Sequence, residues 1–347
     1  MWTASARGAR SFRPLPPRLL IVAAAATTVW ALVALLGGVS GVGAPGLPRL
    51  GAARVVEQDD VGDPYILPAP GGVHADPTAR YVLFWTTDWQ SNVPTAVSPD
   101  LIHWHRIADA LPVLPTWAVP TQTMTWAPSA VQVAGGWVLY FSTEEAGSRV
   151  ECIGAAFSPD PAGPYRDTAA APLICQRAQG GSIDPSVVRD AHGGRSLVWK
   201  SDGNASGASV GIWQQALAAD GRSLLGPAHR LIGADQPWEH GIVEGPAMLA
   251  DTRGGWWLFY SGGAWQSNTY DTGVAWCATV AGPCRPTSAA PLLSSNPTAV
   301  SPGGLDTFVD NRGVLWASYS AFPSAPANVR AAMAENRVLE IAPVLSH

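Results

Sequence analysis

Five stretches of this chain repeat one pattern of apolar and polar positions. Each opens on an apolar segment, passes a Gly-rich turn, runs through an aromatic strand and ends in a more polar segment. The first is "DPYILPAP" with "RYVLFWTTD" and "PTAVSPDLIHWHRI"; the second is "WAPSAVQVAGGWVLYFSTE" with "IGAAFSPDPAGPY". The third is "IDPSVVRDAHGGRSLVWKSD" with "GIWQQALAADGRSL", and the fourth is "VEGPAMLADTRGGWWLFYSGG" with "GVAWCATVAGPC". The fifth is "GLDTFVDNRGVLWASYSA" with "VRAAMAENRVLEI". These segments alternate or run apolar and are rich in Val, Tyr, Trp and Phe, which predicts strands. The turns "AGG", "HGG" and "RGG" predict hairpins between the first two strands of several copies. No stretch after residue 54 carries a sustained helical period.

The copies begin about sixty residues apart, a spacing of long repeat units. Asp63, Ala127, Asp184, Glu244 and Leu305 fall at roughly matching places. Four short strands per copy, stacked radially, make a β-propeller, and five copies make five blades. A two-sheet sandwich would leave the spacing unexplained. The pattern therefore predicts an all-β chain, a five-bladed β-propeller over residues 55–347.

What precedes it has a different texture. Residues 1–18 are basic, with Arg7, Arg10, Arg13 and Arg18. Residues 19–39, "LLIVAAAATTVWALVALLGGV", are uncharged and long enough to span a bilayer as a helix. Residues 40–54 are rich in Gly, Ala and Pro and read as a linker. The run is expected to be an N-terminal signal anchor, or the core of a signal peptide cleaved after Val42 and Ala44. Pro45 at that cut and the length of the run favour the anchor. Basic residues before the run put the body outside the cytoplasm, with a membrane partner if the segment stays uncleaved. Two pairs of Cys, Cys152 with Cys175 and Cys277 with Cys284, suit disulfides in such a compartment.

Charge narrows the partners. The first 54 residues hold six Arg and no acid, so all 26 acidic residues lie in the body beside 15 basic ones. An acidic body is a poor partner for nucleic acid and suits a neutral ligand. The Cys and His spacings predict no metal site.

The innermost strand of each blade lines a propeller's channel, so the starts of these strands meet near one mouth. Asp63, Asp184 and Glu244 would converge there from three distant segments. Burial and like charge raise a carboxyl pKa, which makes a usable proton donor near neutral pH. Opposed carboxyls on a sugar-sized cleft are the equipment of glycoside hydrolysis.

The ordered set "DPYIL", "SPDLIHW", "WAPSAV", "IDPSVV", "WEHGIVEGPAML" and "WWLFYSGG" resembles glycoside hydrolase family 43, from about Gly62 to Ile341. That is the five-bladed arabinanase, arabinofuranosidase and xylosidase family. The resemblance implies Asp63 as general base, Asp184 as orienter and pKa modulator, and Glu244 as general acid. It implies an inverting enzyme, whose carboxyls stand roughly 6.5–9.5 Å apart. Its substrate would be an oligosaccharide or polysaccharide with arabinofuranosyl, or secondly xylosyl, linkages. Asp76 competes with Asp63 for the base, but it lies too close to Tyr81 to leave a first strand and a turn. Trp126 matches the place where the family sets a ring near the sugar, and Trp85, Trp89 and Trp265 are further candidates. Arg330 matches a late strand where relatives carry a substrate-contacting Arg. Lys200 either reaches the cleft or lays down a solvated stem. No cofactor is expected to be required. The family's channel ion, a calcium for instance, is doubtful because Gly304 stands where a His is expected. The rival expectations are a carbohydrate-binding propeller without turnover and an envelope interaction protein.

Overall fold

A computed structural model of the protein describes residues 46–120, 124–287, 289–332 and 334–346. The basic segment and the apolar run at 19–39 lie outside the described residues. Among the described residues no helix is long and apolar enough to cross a membrane.

Two short strands come first, β1 (Arg49–Leu50) and β2 (Arg54–Glu57). The first blade follows as β3 (Tyr65–Pro68), β4 (Tyr81–Phe84), β5 (Thr95–Ser98) and β6 (His105–Arg106). The second is β7 (Thr125–Val133), β8 (Gly136–Glu144) and β9 (Glu151–Ser158), with Arg166 bridging to Phe157. The third is β10 (Ser182–Arg189), β11 (Arg195–Ser201), β12 (Gly211–Leu217) and β13 (Leu224–Gly233). The fourth is β14 (Val243–Ala250), β15 (Trp256–Gly262), β16 (Asp271–Cys277) and β17 (Cys284–Pro286). The fifth is β18 (Val300–Val309), β19 (Leu315–Phe322) and β20 (Val338–Ser346). All of these neighbours pair antiparallel.

The fifth sheet is completed from the other end of the chain. Leu50 pairs with Val344, and Arg54 and Val55 pair with Ile341 and Glu340. Residues 49–54, expected in the linker, thus include strand that closes the ring. The backbone of β20 would otherwise be an open edge, and pairing satisfies it.

The core consists of separate seams between neighbouring sheets. Side chains of a strand alternate between its two faces. In β8, Leu139 and Phe141 pack with Val82 and Phe84 of the first blade. Val138 and Tyr140 point the other way, against Leu197 and Trp199 of the third. In β15, Leu258 and Tyr260 meet Val198 and Ile212, while Trp257 and Phe259 meet Ala317 and Tyr319. Ile66 and Leu83 meet Phe308 and Leu339 at the closing seam. Each second strand has a blade on both sides, which explains its unbroken apolar run. The two expected disulfides form: Cys152–Cys175 ties β9 to the segment after it, and Cys277–Cys284 ties β16 to β17.

Each inner strand begins with the same backbone irregularity. Asp63, Ala127, Asp184, Gly245 and Gly304 have φ of 50°, 46°, 56°, 52° and 63°. The pairing register shifts across this point in β7, β10, β14 and β18. The residue is followed by Pro64, Pro128, Pro185 or Pro246 in the first four blades. These are β-bulges, which re-aim side chains at a strand's start. The repeat alignment needs correction here. Glu244 and Leu305 stand one residue before and one residue after the bulge, at which Gly245 and Gly304 sit.

Candidate active site

The bulges place the three acids at one mouth of the ring. A cleft of about 470 Å³ there is lined by Asp63, Asp184 and Glu244 together. That is room for a small sugar ligand. Asp63 and Asp184 occupy the bulge itself. Glu244, one residue earlier, shares its place with Trp126 of the second blade, and both side chains reach the same cleft. The shift of one residue sends a strand side chain to the opposite side, so Glu244 approaches the cleft from a different direction than the two aspartates.

Each acid has a distinct setting. Asp63 accepts a hydrogen bond from the Thr86 hydroxyl at 2.6 Å. Burial raises its pKa, and this outweighs the lowering by Arg337 and by Thr86. Asp184 accepts from the Gly245 backbone N–H at 2.9 Å and donates its own N–H to Ser142 Oγ at 3.0 Å. Burial, reinforced by the charge of Glu244, pushes its carboxyl up to about 8. Glu244 accepts from the Lys200 ammonium, Nζ to Oε2 at 2.8 Å. Lys200 is 1% exposed and also meets Asp202 Oδ1 at 3.0 Å. Burial opposes its charge, but Glu244, Asp184 and Asp202 together hold its pKa above the usual lysine value. The site therefore holds one carboxyl raised by burial and bound to a backbone amide, one bound to a hydroxyl and one bound to a cation. Such separation of environments is what divided acid and base roles require.

The aromatic expectations divide. Trp126 and Trp265 line the cleft, as does Trp89, which is 65% exposed. Trp85 does not: it is 2% exposed and packs at the seam between the first and fifth blades. It lies on the apolar run of a second strand, where both faces are covered. Arg330 is also displaced from its expected role. It sits exposed on a four-residue helix, Val329–Ala332, because the last strand starts only at Val338. Arg337, immediately before that strand, lines the cleft instead. Its guanidinium lies 4.9 Å from the Trp265 ring and 3.1 Å from Asp60. Tyr270, buried against Gly303, is a further lining residue that no sequence motif singled out. Asp76 lies in the first hairpin turn, bonded to Thr78 and 3.3 Å from His105, away from the cleft.

The narrow channel behind the cleft is lined by the bulge residues and by Ser129, Ser186 and Asp306. Gly304 lies close against Asp63, where a Cβ would stand 3.0 Å from Asp63 Oδ1 and 3.2 Å from its Cα. The carboxylate of Asp306 accepts from Thr307 N–H at 2.6 Å and from Ser186 Oγ at 3.4 Å, and burial pushes it to about 7. A calcium ion takes six to eight oxygens, several of them from ionised carboxylates. The channel lining offers the carboxyls of Asp63, Asp184 and Asp306, which are engaged by Thr86, by the Gly245 amide, and by Thr307 and Ser186. Among the described residues, the one cluster of three ligating groups is Glu145 with Cys152 and Cys175, and the two sulfurs are joined to each other.

Comparison with known proteins agrees with this geometry. Residues 64–344 match the model of glycosyl hydrolases family 43. An extracellular endo-α-(1→5)-L-arabinanase of Thermotoga petrophila is 28% identical over 193 residues, which is 46% of this chain and 39% of that protein. The crystal structure of a thermostable family-43 glycoside hydrolase superposes with a TM-score of 0.68 at 22% identity, covering 86% of this chain and 92% of the other. An endo-arabinase of Bacteroides thetaiotaomicron gives 0.68 at 20% identity, covering 85% and 98%. Five blades, three acids at one mouth and a family match over most of the chain lead to one assignment: the chain belongs to glycosyl hydrolase family 43.

Proposed function

We propose that the protein is an extracytoplasmic inverting glycosidase acting on arabinofuranosyl-containing glycans. Glu244 donates a proton to the departing glycosidic oxygen. Asp63 takes a proton from the water that attacks the anomeric carbon from the opposite side. Asp184 orients the donor and modulates its pKa, and Trp126 and Trp265 offer apolar faces to the sugar. The observation that carries this reading is the convergence of three carboxyls with three different partners in one cleft: Thr86, the Gly245 amide and Lys200. Similarity to an extracellular arabinanase favours arabinan over xylan. The Arg-rich start, the apolar run after it and two disulfides support export. The chemistry needs no cofactor, so dialysis against EDTA should leave the rate unchanged.

The test is product stereochemistry. Arabinan, xylan and aryl glycosides are incubated with the enzyme, and the first anomer released is read by NMR. Arabinose released with inverted configuration is the expected result. Retention would overturn the mechanism, and release from xylan alone would overturn the substrate.

A further inference from the structure

Lys200 is the odd member of a fivefold set. The residue facing each bulge from the second strand is Thr86, Ser142, Lys200, Ser261 or Ser320. Three of the four hydroxyls hold the next blade or the acid beside them. Thr86 Oγ1 accepts from Ala127 N–H at 3.0 Å, Ser142 Oγ from Asp184 N–H at 3.0 Å, and Ser261 Oγ from Gly304 N–H at 3.0 Å. An ammonium has three donors and no acceptor, so Lys200 has nothing to offer a backbone N–H. At that joint the Gly245 N–H turns to Asp184 Oδ2 instead. A hydroxyl would have met the structural need, as it does at the other joints. Burying a cation is costly unless it is paired. What the cation adds is a positive charge 2.8 Å from Glu244 Oε2.

We propose that Lys200 is a positioning residue that holds Glu244 by one carboxyl oxygen and whose charge sets the upper pH limit of hydrolysis. The inference rests on Glu244 being the proton donor. An adjacent cation favours the ionised form of a carboxyl, which a hydroxyl at that place would not do. The charged and titratable groups facing the pair are Asp202 beyond β11, Asp184 of β10, and Asp63 and Tyr270 across the cleft. Arg337 acts on Asp63 from the far side and is paired with Asp60. Asp202 competes with Glu244 for the same ammonium, which supplies a second handle of opposite sign.

The experiment is the pH profile of kcat/KM on an arabino-oligosaccharide, whose leaving sugar needs a proton, for wild type, K200M and D202N. Removing the cation should move the basic limb up by roughly 1 to 3 pH units, the size of an ion-pair shift. Removing Asp202 should move it down. A purely structural Lys200 would lower the rate without moving either limb. An unmoved basic limb in K200M, or a limb that rises in D202N, overturns the inference. If K200M fails to fold, the sign of the D202N shift decides alone. E244Q separates the two assignments: an active E244Q sinks Glu244 as donor, whereas an inactive E244Q with an unmoved K200M limb sinks only the role of Lys200.

Discussion

At the scale of single residues, environment divides the labour among three similar acids. If Glu244 is the donor, E244Q should lose about 10²- to 10⁴-fold in kcat on natural linkages. The loss should shrink on an aryl glycoside whose leaving group departs without a proton, as steady-state rates on a leaving-group series would show. Asp184 supplies a stability test. Its carboxyl binds a proton more tightly in the fold than in the unfolded chain, so its stabilisation is complete below about pH 4. It is lost as the pH rises through about 8. Asp306 and Glu151, raised by burial to about 7 and about 8, act in the same direction. The melting temperature should therefore fall between pH 5 and pH 8, and D184N should flatten part of that fall in calorimetry. The acids were legible in the sequence because an Asp-Pro or Glu-Gly-Pro inside an apolar run is conspicuous. Arg337 was not, and Lys200 was legible only as a choice between cleft and solvent: a buried Lys looks like a surface one until its partners, 44 and 2 residues away in "VEG" and "SDG", are seen in space.

At the scale of elements, the bulge decides where side chains go. Ala127, Asp63 and Asp184 take a left-handed backbone that is unfavourable for any residue with a Cβ. Gly304 takes it without a side chain and lies against Asp63. G304A should therefore do two things. It should cost about 1 to 3 kcal/mol of stability for strained backbone, measured by urea denaturation. It should also lower kcat by shifting Asp63, whereas an alanine at Gly313, which has φ of 79° and open space around it, should show the first effect without the second. Strand positions were legible from their apolar runs, and the hairpins from their glycines. The bulge was not, because one inserted residue leaves the repeat spacing unchanged. This is why Glu244 and Asp184 looked equivalent in sequence and are offset by one residue in the fold. Arg330 was misplaced for a similar reason, as a four-residue helix delays the last strand.

At the scale of the whole molecule, the ring depends on how its ends join. The last sheet takes β1 and β2 from residues 49–57, so deleting residues 46–57 should expose the β20 edge. The expected outcome is a lower melting temperature and concentration-dependent aggregation, checked by differential scanning fluorimetry and light scattering. Cys152–Cys175 closes the longer of the two disulfide loops, with a separation of 23 residues against 7. Its replacement by C152S/C175S should cost about 3 kcal/mol, more than the loss of Cys277–Cys284. Five blades were legible from the sixty-residue spacing. The closure was not, because "RLGAARVVE" has the small residues of a linker and becomes strand only against β20.

The joints between blades carry a consequence for how the protein would fail. Thr86, Ser142, Asp184 and Ser261 tie the first four sheets each to the next at the mouth, and one of the tied residues, Asp184, is itself an acid of the cleft. The cleft is thus a gauge of the ring's circumference. Any slackening at a distant seam spreads around the circle and opens the gap between proton donor and base. Turnover should decline before sheets separate, so a weakened ring would first be recognised as a poor catalyst and only later as an unstable protein.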